Sequence, residues 1–393
     1  MSEQLYMLQT LLVGGVVLTL FRTHPRLIQL QIVVWTLGVT GIAWRYGLVE
    51  QLNFYSNDQR YYQDVVERLL AETTFVSEAF SLEGMKLPFT GPALILAFAG
   101  IHPALALKTI SLVSLLTLTS SVLQRYGEQA LIRQSRVLYL TGSGGIGVFF
   151  SMLALRETMM MLFVYRYATA MSPVSRVISL VVVYLLRPHL AVALAVGECM
   201  VTMWRWLSRR DSIGYIAMLI FTAMSVVIGA SLFAAQANLL QGGDTSQDGF
   251  LGISQITRVA SNFVGLQFLT VPEGTVNFSI SSLLLLRIAL SETILIPIGF
   301  SISCLLFAHR LRWHHLFTLS AFAIYVSVAT KTDFNSFRQN IPFMPLLGIV
   351  ILDIVGVQSV HSATTGRQSR DTASLRLDPS AGPKRQIEPT STG

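Results

Sequence analysis

Residues 155–190 read LRETMMMLFVYRYATAMSPVSRVISLVVVYLLRPHL, and the fold of the whole chain turns on this stretch. Two apolar runs, about 158–171 and 177–186, are joined by Ser172-Pro173-Val174-Ser175-Arg176. At about 1.5 Å per helical residue, neither run crosses a hydrocarbon core of about 30 Å. The expectation is a thin or re-entrant helical hairpin. Its two polar ends, Arg156-Glu157 and Arg187-Pro188-His189, then return to one face of the membrane. Charges at the edge of an apolar medium are costly and usually functional.

The composition agrees with a membrane setting. Of 393 residues, 52% are apolar and 12% charged, and the mean hydropathy is +0.58. Such a chain is no ordinary soluble domain. Its apolar runs do not alternate, so a β-barrel is not expected. The expected fold is all-α: a polytopic membrane protein of about eleven transmembrane or re-entrant helices. A formal charge of +7 reports basic loops rather than a nucleic-acid partner. Cys199 and Cys304 both lie in apolar runs and suggest no disulfide framework.

Working outward from the hairpin, helices are expected at about 5–21, 27–45, 103–123 and 137–155 before it. After it they are expected at about 189–206, 213–238, 292–308, 316–330 and 340–356. A helical domain then spans 1–356, and 357–393 is a polar, disordered tail. Segments 46–102 and 239–291 lie outside the main spans and carry shorter, interfacial pieces. Loops 22–26, 124–136, 172–176, 205–211 and 309–315 and the tail are all net positive, and alternation places them on one side. The positive-inside rule makes that side the cytoplasm, with the N-terminus outside. The segment 46–88, with seven acids against three bases, then faces outward.

Candidate chemistry gathers on the outward face. Asp58 lies just beyond the second helix and precedes Arg60, Tyr61 and Tyr62. It is placed to take a proton from a sugar hydroxyl, or more simply to cap a helix beginning near Gln59. Arg156-Glu157 reads as an interfacial ion pair or as a phosphate ligand beside an acid. Arg187-Pro188-His189 reads as a snorkelling helix start or as a second phosphate-binding point. Lys331 and Arg338, the latter in Phe337-Arg338-Gln339-Asn340-Ile341-Pro342, add two more cations. Glu292 is expected at the outer start of its helix, where a carboxylate suits the dipole. No P-loop and no nucleophile elbow occur, and no His/Cys spacing suggests zinc. His309, His314 and His315 read as interfacial, and no metal or cofactor is expected.

This layout resembles bacterial integral-membrane proteins of polysaccharide biosynthesis, the GT-C-type glycosyltransferases and the Wzy- or EpsG-like polymerases. The resemblance rests on Asp58…Tyr61-Tyr62 after two helices, on Arg-Glu and Arg-Pro-His flanking a short hairpin, and on Arg338-x-x-x-Pro342 before the last helix. It implies a GT-C-like fold in a bacterial inner membrane. It also implies transfer or polymerisation of a sugar or oligosaccharide from a polyprenyl-phosphate or -diphosphate donor. The acceptor would be a glycan or another envelope molecule. Asp58, or Glu157 in its place, would be the base. Arg156, Arg187, His189, Lys331 and Arg338 would hold phosphate, while Arg60, Tyr61, Tyr62 and Glu292 would contact acceptor or sugar. Partners are then the lipid-linked sugar donor, the acceptor, membrane lipids and a polysaccharide-assembly apparatus, with no nucleic acid. Many GT-C members carry Asp-Glu or Glu-Asp in the first loop, where this chain has Asn57-Asp58. The rival reading is a carrier or flippase for lipid-linked sugars, or an assembly subunit, without chemistry.

Overall fold

A computed structural model describes residues 3–50, 58–71, 86–126, 131–207, 284–307, 310–331 and 337–355. The expected helix at 213–238, most of the 239–291 segment and the 357–393 tail lie outside the described residues. Among the described residues every regular element is a helix. In chain order these are α1 (Glu3–Leu20), α2 (Arg26–Glu50), α3 (Asp58–Ala71), α4 (Leu87–Phe98), α5 (Pro103–Tyr126), α6 (Leu131–Leu140) and α7 (Gly145–Ser151). Next come α8 (Glu157–Thr169), α9 (Pro173–Leu186), α10 (Pro188–Leu207), α11 (Leu284–Leu306) and α12 (Trp313–Lys331). A 3-10 turn (Phe337–Phe343) and α13 (Met344–Val355) close the described part.

Three of these helices, Glu3–Leu20, Arg26–Arg45 within α2, and α5, are long and apolar enough to cross a membrane. The hairpin helices are shorter, with 13 residues in α8 and 14 in α9. Each is therefore about 20 Å long. Their surroundings differ sharply. Helix α8 is buried almost all round, against α5, α9, the 3-10 turn and α13. Helix α9 buries only Ser179, Val183 and Leu186 and exposes Val174, Val177, Ile178, Val181 and Tyr184. An exposed apolar stripe at this spacing suits an apolar neighbour such as lipid.

The expected helix over 137–155 is not continuous. It breaks at Thr141–Gly144 into α6 and the seven-residue α7. Gly142 takes φ +64, a backbone conformation that L side chains rarely adopt. The Gly144 N–H turns back to the Leu138 carbonyl at 3.0 Å. The reason for the break is tertiary. Helix α13 crosses α6 so closely that a Cβ on Gly348 would collide with the Leu140 backbone carbonyl. Gly348→Ala should therefore destabilise the bundle by about 1–3 kcal/mol, the usual range for overpacking. The thermal midpoint of detergent-purified protein reads this out. An unchanged midpoint would mean that α13 does not sit on the α6–α7 break.

Helices α1, α2 and α5 form a second core around Tyr6, Ile28, Ile32, Trp35 and Leu112. The Trp35 indole N–H donates to the Ser151 carbonyl at 2.8 Å and pins α2 to the end of α7. Beside this core Gln9 binds the Gly100 carbonyl and the His102 N–H. Burial, with the Lys108 charge behind it, pushes His102 down to about 4. A neutral ring suits its role, since Nδ1 accepts the Ala104 N–H at 3.2 Å.

Contacts sort the helix ends into two groups. At one end Arg125 meets Asp353, the Arg205 guanidinium lies over Trp313, and Arg310 donates to the Ile354 carbonyl. These join three of the basic segments and the close of α13. The open end of the hairpin belongs to the other group.

Candidate functional site

Helix geometry brings the hairpin's two polar ends together. Glu157 begins α8, and Arg187 follows α9 in extended conformation before Pro188 starts α10. The Arg187 guanidinium lies 3.8 Å from Glu157 Oε1 and donates to the Tyr325 hydroxyl at 2.8 Å. Both ionic partners are buried, with Arg187 5% exposed and Glu157 0%. Arg187 is thus not a snorkelling side chain. Its charge is set against a carboxylate inside the protein.

Arg156 does not pair with its neighbour. Adjacent residues at a helix start point in different directions. Its guanidinium instead donates to the Leu186 carbonyl at 2.6 Å and lies 5.8 Å from the Tyr62 ring centroid. That contact ties the start of α8 to the end of α9. Arg156 remains half-exposed. His189 stacks on Tyr325 with ring centroids 5.7 Å apart. The charges of Arg187, Arg156 and Lys86 all reach the buried His189 ring. Lys86 precedes α4 at φ 49, a strained conformation for a residue with a side chain. Such strain persists only where the surroundings enforce it.

Helix α3 lies over this corner. Gln59 is fully buried, and its side-chain oxygen accepts the Ala154 N–H at 3.1 Å. Tyr62 packs edge-on to Phe89 of α4, with centroids 5.5 Å apart. Asp58, half-buried, begins α3 one residue before Gln59. Arg60 and Tyr61 are exposed. Tyr62 is a packed side chain beneath Arg156 rather than an open contact for an acceptor.

Two expected cations are placed only by their backbone. Lys331 ends α12, and Arg338 lies in the 3-10 turn that packs on α8; their side chains fall outside the described residues. Glu292 is corrected outright. Helix α11 begins at Leu284, so Glu292 lies two turns inside it rather than at its outer start. Its carboxylate accepts the Gly145 and Ile146 N–H groups at 2.7 and 2.6 Å. It caps the broken α7 and belongs to the bundle interior, not to the cationic corner. A carboxylate there satisfies two of the amides that a helix start leaves without partners.

Three members of the corner escaped the sequence reading. Lys86 had a weak signal, a base just before the proline of a short apolar helix. Gln59 was overshadowed by Asp58. Tyr325 is the single tyrosine of an apolar helix, and a buried tyrosine hydroxyl calls for a polar partner. No known family, curated protein or solved structure matches the chain. The corner's chemistry therefore rests on its own geometry.

Proposed function

We propose that this protein transfers a sugar or oligosaccharide from a polyprenyl-phosphate or -diphosphate donor to a glycan or envelope acceptor, at the outer face of a bacterial inner membrane. One observation carries the reading: Arg156 and Arg187 meet at the open end of a hairpin beside Glu157, and their charges and that of Lys86 reach His189 there. Arginine forks and a lysine point charge suit phosphate oxygens. Arg187 is oriented by Glu157 and Tyr325, leaving the half-exposed Arg156 and Lys86 as the first contacts of an arriving phosphate. The apolar stripe of α9 ends at the same corner, so a lipid chain has a path beside its headgroup.

In the transfer, the acceptor hydroxyl oxygen forms a bond to the anomeric carbon. The bond from that carbon to the phosphate oxygen breaks, and its electron pair leaves on the phosphate. The acceptor proton passes to the Asp58 carboxylate. Lys86 and Arg156 face the charge that grows on the leaving group, an interaction that strengthens toward the transition state. No nucleotide is required at this face.

Arg156→Gln removes the fork but can keep one hydrogen bond to the Leu186 carbonyl. It should weaken donor binding and slow transfer by at least tenfold, while the protein accumulates normally in the membrane. The assay uses purified protein, a polyprenyl-phosphate sugar and an acceptor in liposomes. Full transfer by Arg156→Gln would remove phosphate binding from this corner. Movement of labelled lipid-linked sugar between leaflets, with no glycosidic bond formed by the parent protein, would establish the carrier instead.

Sidedness is a separate expectation. In a background without Cys199 and Cys304, a cysteine replacing the exposed Ala99 should react with an impermeant thiol reagent added to intact cells. A cysteine replacing Met171, 92% exposed in the hairpin turn, should react only after lysis. The reverse pattern would put the cationic corner in the cytoplasm.

A further inference from the structure

At the end of the bundle opposite the cationic corner, two adjacent histidines and an aspartate converge. His314 and His315 occupy the first turn of α12, and Asp353 lies in the last turn of α13. The nearest ligand atoms of all three lie within 4.8 Å of one another. His314 Nε2 is 3.3 Å, and His315 Nε2 is 3.6 Å, from the same oxygen, Asp353 Oδ2. His315 is 2% exposed, and its Nε2 makes no hydrogen bond among the described residues. A buried ring nitrogen aimed at a carboxylate without bonding it is an unfinished contact.

We propose that His314, His315 and Asp353 form a three-ligand site for a divalent transition metal of the zinc type. Imidazole nitrogen with one carboxylate oxygen selects such ions over magnesium or calcium, which prefer all-oxygen sets. Tetrahedral zinc with bonds of about 2.0–2.2 Å separates its ligand atoms by about 3.3–3.5 Å. The His314 separation of 3.3 Å matches that edge, and the His315 separation of 3.6 Å lies just beyond it. His314 is 48% exposed, so water can reach the ion as a fourth ligand. That is the pattern of three protein ligands with a water.

The surroundings hold the carboxylate and set the cost of binding. Tyr126 donates to Asp353 Oδ1 at 3.2 Å, and Arg125 lies 3.6 Å from Oδ2. Partners of this kind orient a ligating carboxylate. His315 Nδ1 now accepts the Arg312 N–H at 3.1 Å. A metal on Nε2 requires the ring proton on Nδ1, so the metal-bound form gives up the Arg312 hydrogen bond. The bound ion would fasten the start of α12 to the end of α13, across the end of α5.

The test uses full-length protein purified through a histidine-free tag and stripped with a chelator. Zinc titrated calorimetrically should bind at one ion per chain. Cobalt(II) should give the intense visible bands of a four-coordinate site. His314→Ala removes an exposed ligand and should fold normally, yet lose the cobalt bands and bind zinc at least tenfold more weakly. Tyr126→Phe frees one carboxylate oxygen and should weaken zinc by about 10–100-fold. Failure of the parent to bind zinc, or equal zinc affinity in parent and His314→Ala, overturns the proposal.

Discussion

Arg187→Met should cost about 3–5 kcal/mol of stability, because it removes a cation 3.8 Å from the buried Glu157 carboxylate. Glu157→Leu should cost a similar amount by stranding the guanidinium. The double variant, with both charges gone and apolar side chains in their place, should recover most of the loss, since buried ion pairs are often replaceable by packed hydrophobic groups. The reason is geometric. The two charges lie 3.8 Å apart with 5% and 0% exposure, so each loses a close opposite charge in a site away from water. Thermal unfolding of the four proteins in one detergent gives the coupling directly. Additive losses in the double variant would show that the charges do not depend on each other. Transfer activity should follow a different order. On the proposed function, the double variant should fold and still transfer poorly, because it removes one of the cations gathered behind the phosphate contacts Arg156 and Lys86.

The same pair shows where a linear reading succeeds and where it stops. The lengths of the runs at 158–171 and 177–186 were enough to fold the chain back and to place Arg156, Glu157 and Arg187 at one end. Length is a local property, and 13 or 14 helical residues fall short of a hydrocarbon core in any context. The pairing itself was not legible. Arg156 and Glu157 are neighbours in sequence and diverge in space, and the partner of Glu157 arrives from 30 residues away. The break in the helix expected at 137–155 was half legible. Gly142-Ser143-Gly144-Gly145 allows close packing or a kink there, while the close approach itself comes from Gly348 on a distant helix. Glu292 was misplaced for a related reason, because the amides it caps belong to α7 rather than to its own helix. Lys108, fully buried in α5 with its ammonium 5.8 Å from the Tyr6 ring centroid, gave no sequence signal beyond being a lone charge in an apolar run. The lengths of the apolar runs carry the helices, whereas the partners of buried polar groups depend on packing between remote segments.

Asp58→Asn separates an enzyme from a binding protein with the largest expected effect on rate. Asparagine caps a helix start about as well as aspartate, so α3 should form and keep Gln59 on Ala154 and Tyr62 under Arg156. The exchange removes the ability to accept a proton from the acceptor hydroxyl while preserving size and shape. Loss of a general base lowers rate by about 10²–10⁴-fold. Transfer should fall in that range with donor affinity close to the parent's, because Lys86, Arg156 and Arg187 are untouched. A KM near the parent value with a collapsed kcat is the signature of a group acting in the chemical step. A raised KM with kcat intact would make Asp58 an acceptor-binding residue. Parent-like kinetics would leave Asp58 as a helix cap and move the base to Glu157. In that case Glu157→Gln, which keeps an oxygen facing Arg187, should show the kcat collapse instead. If neither isosteric change lowers kcat, no carboxylate of this corner takes the proton, and the mechanism proposed for it fails.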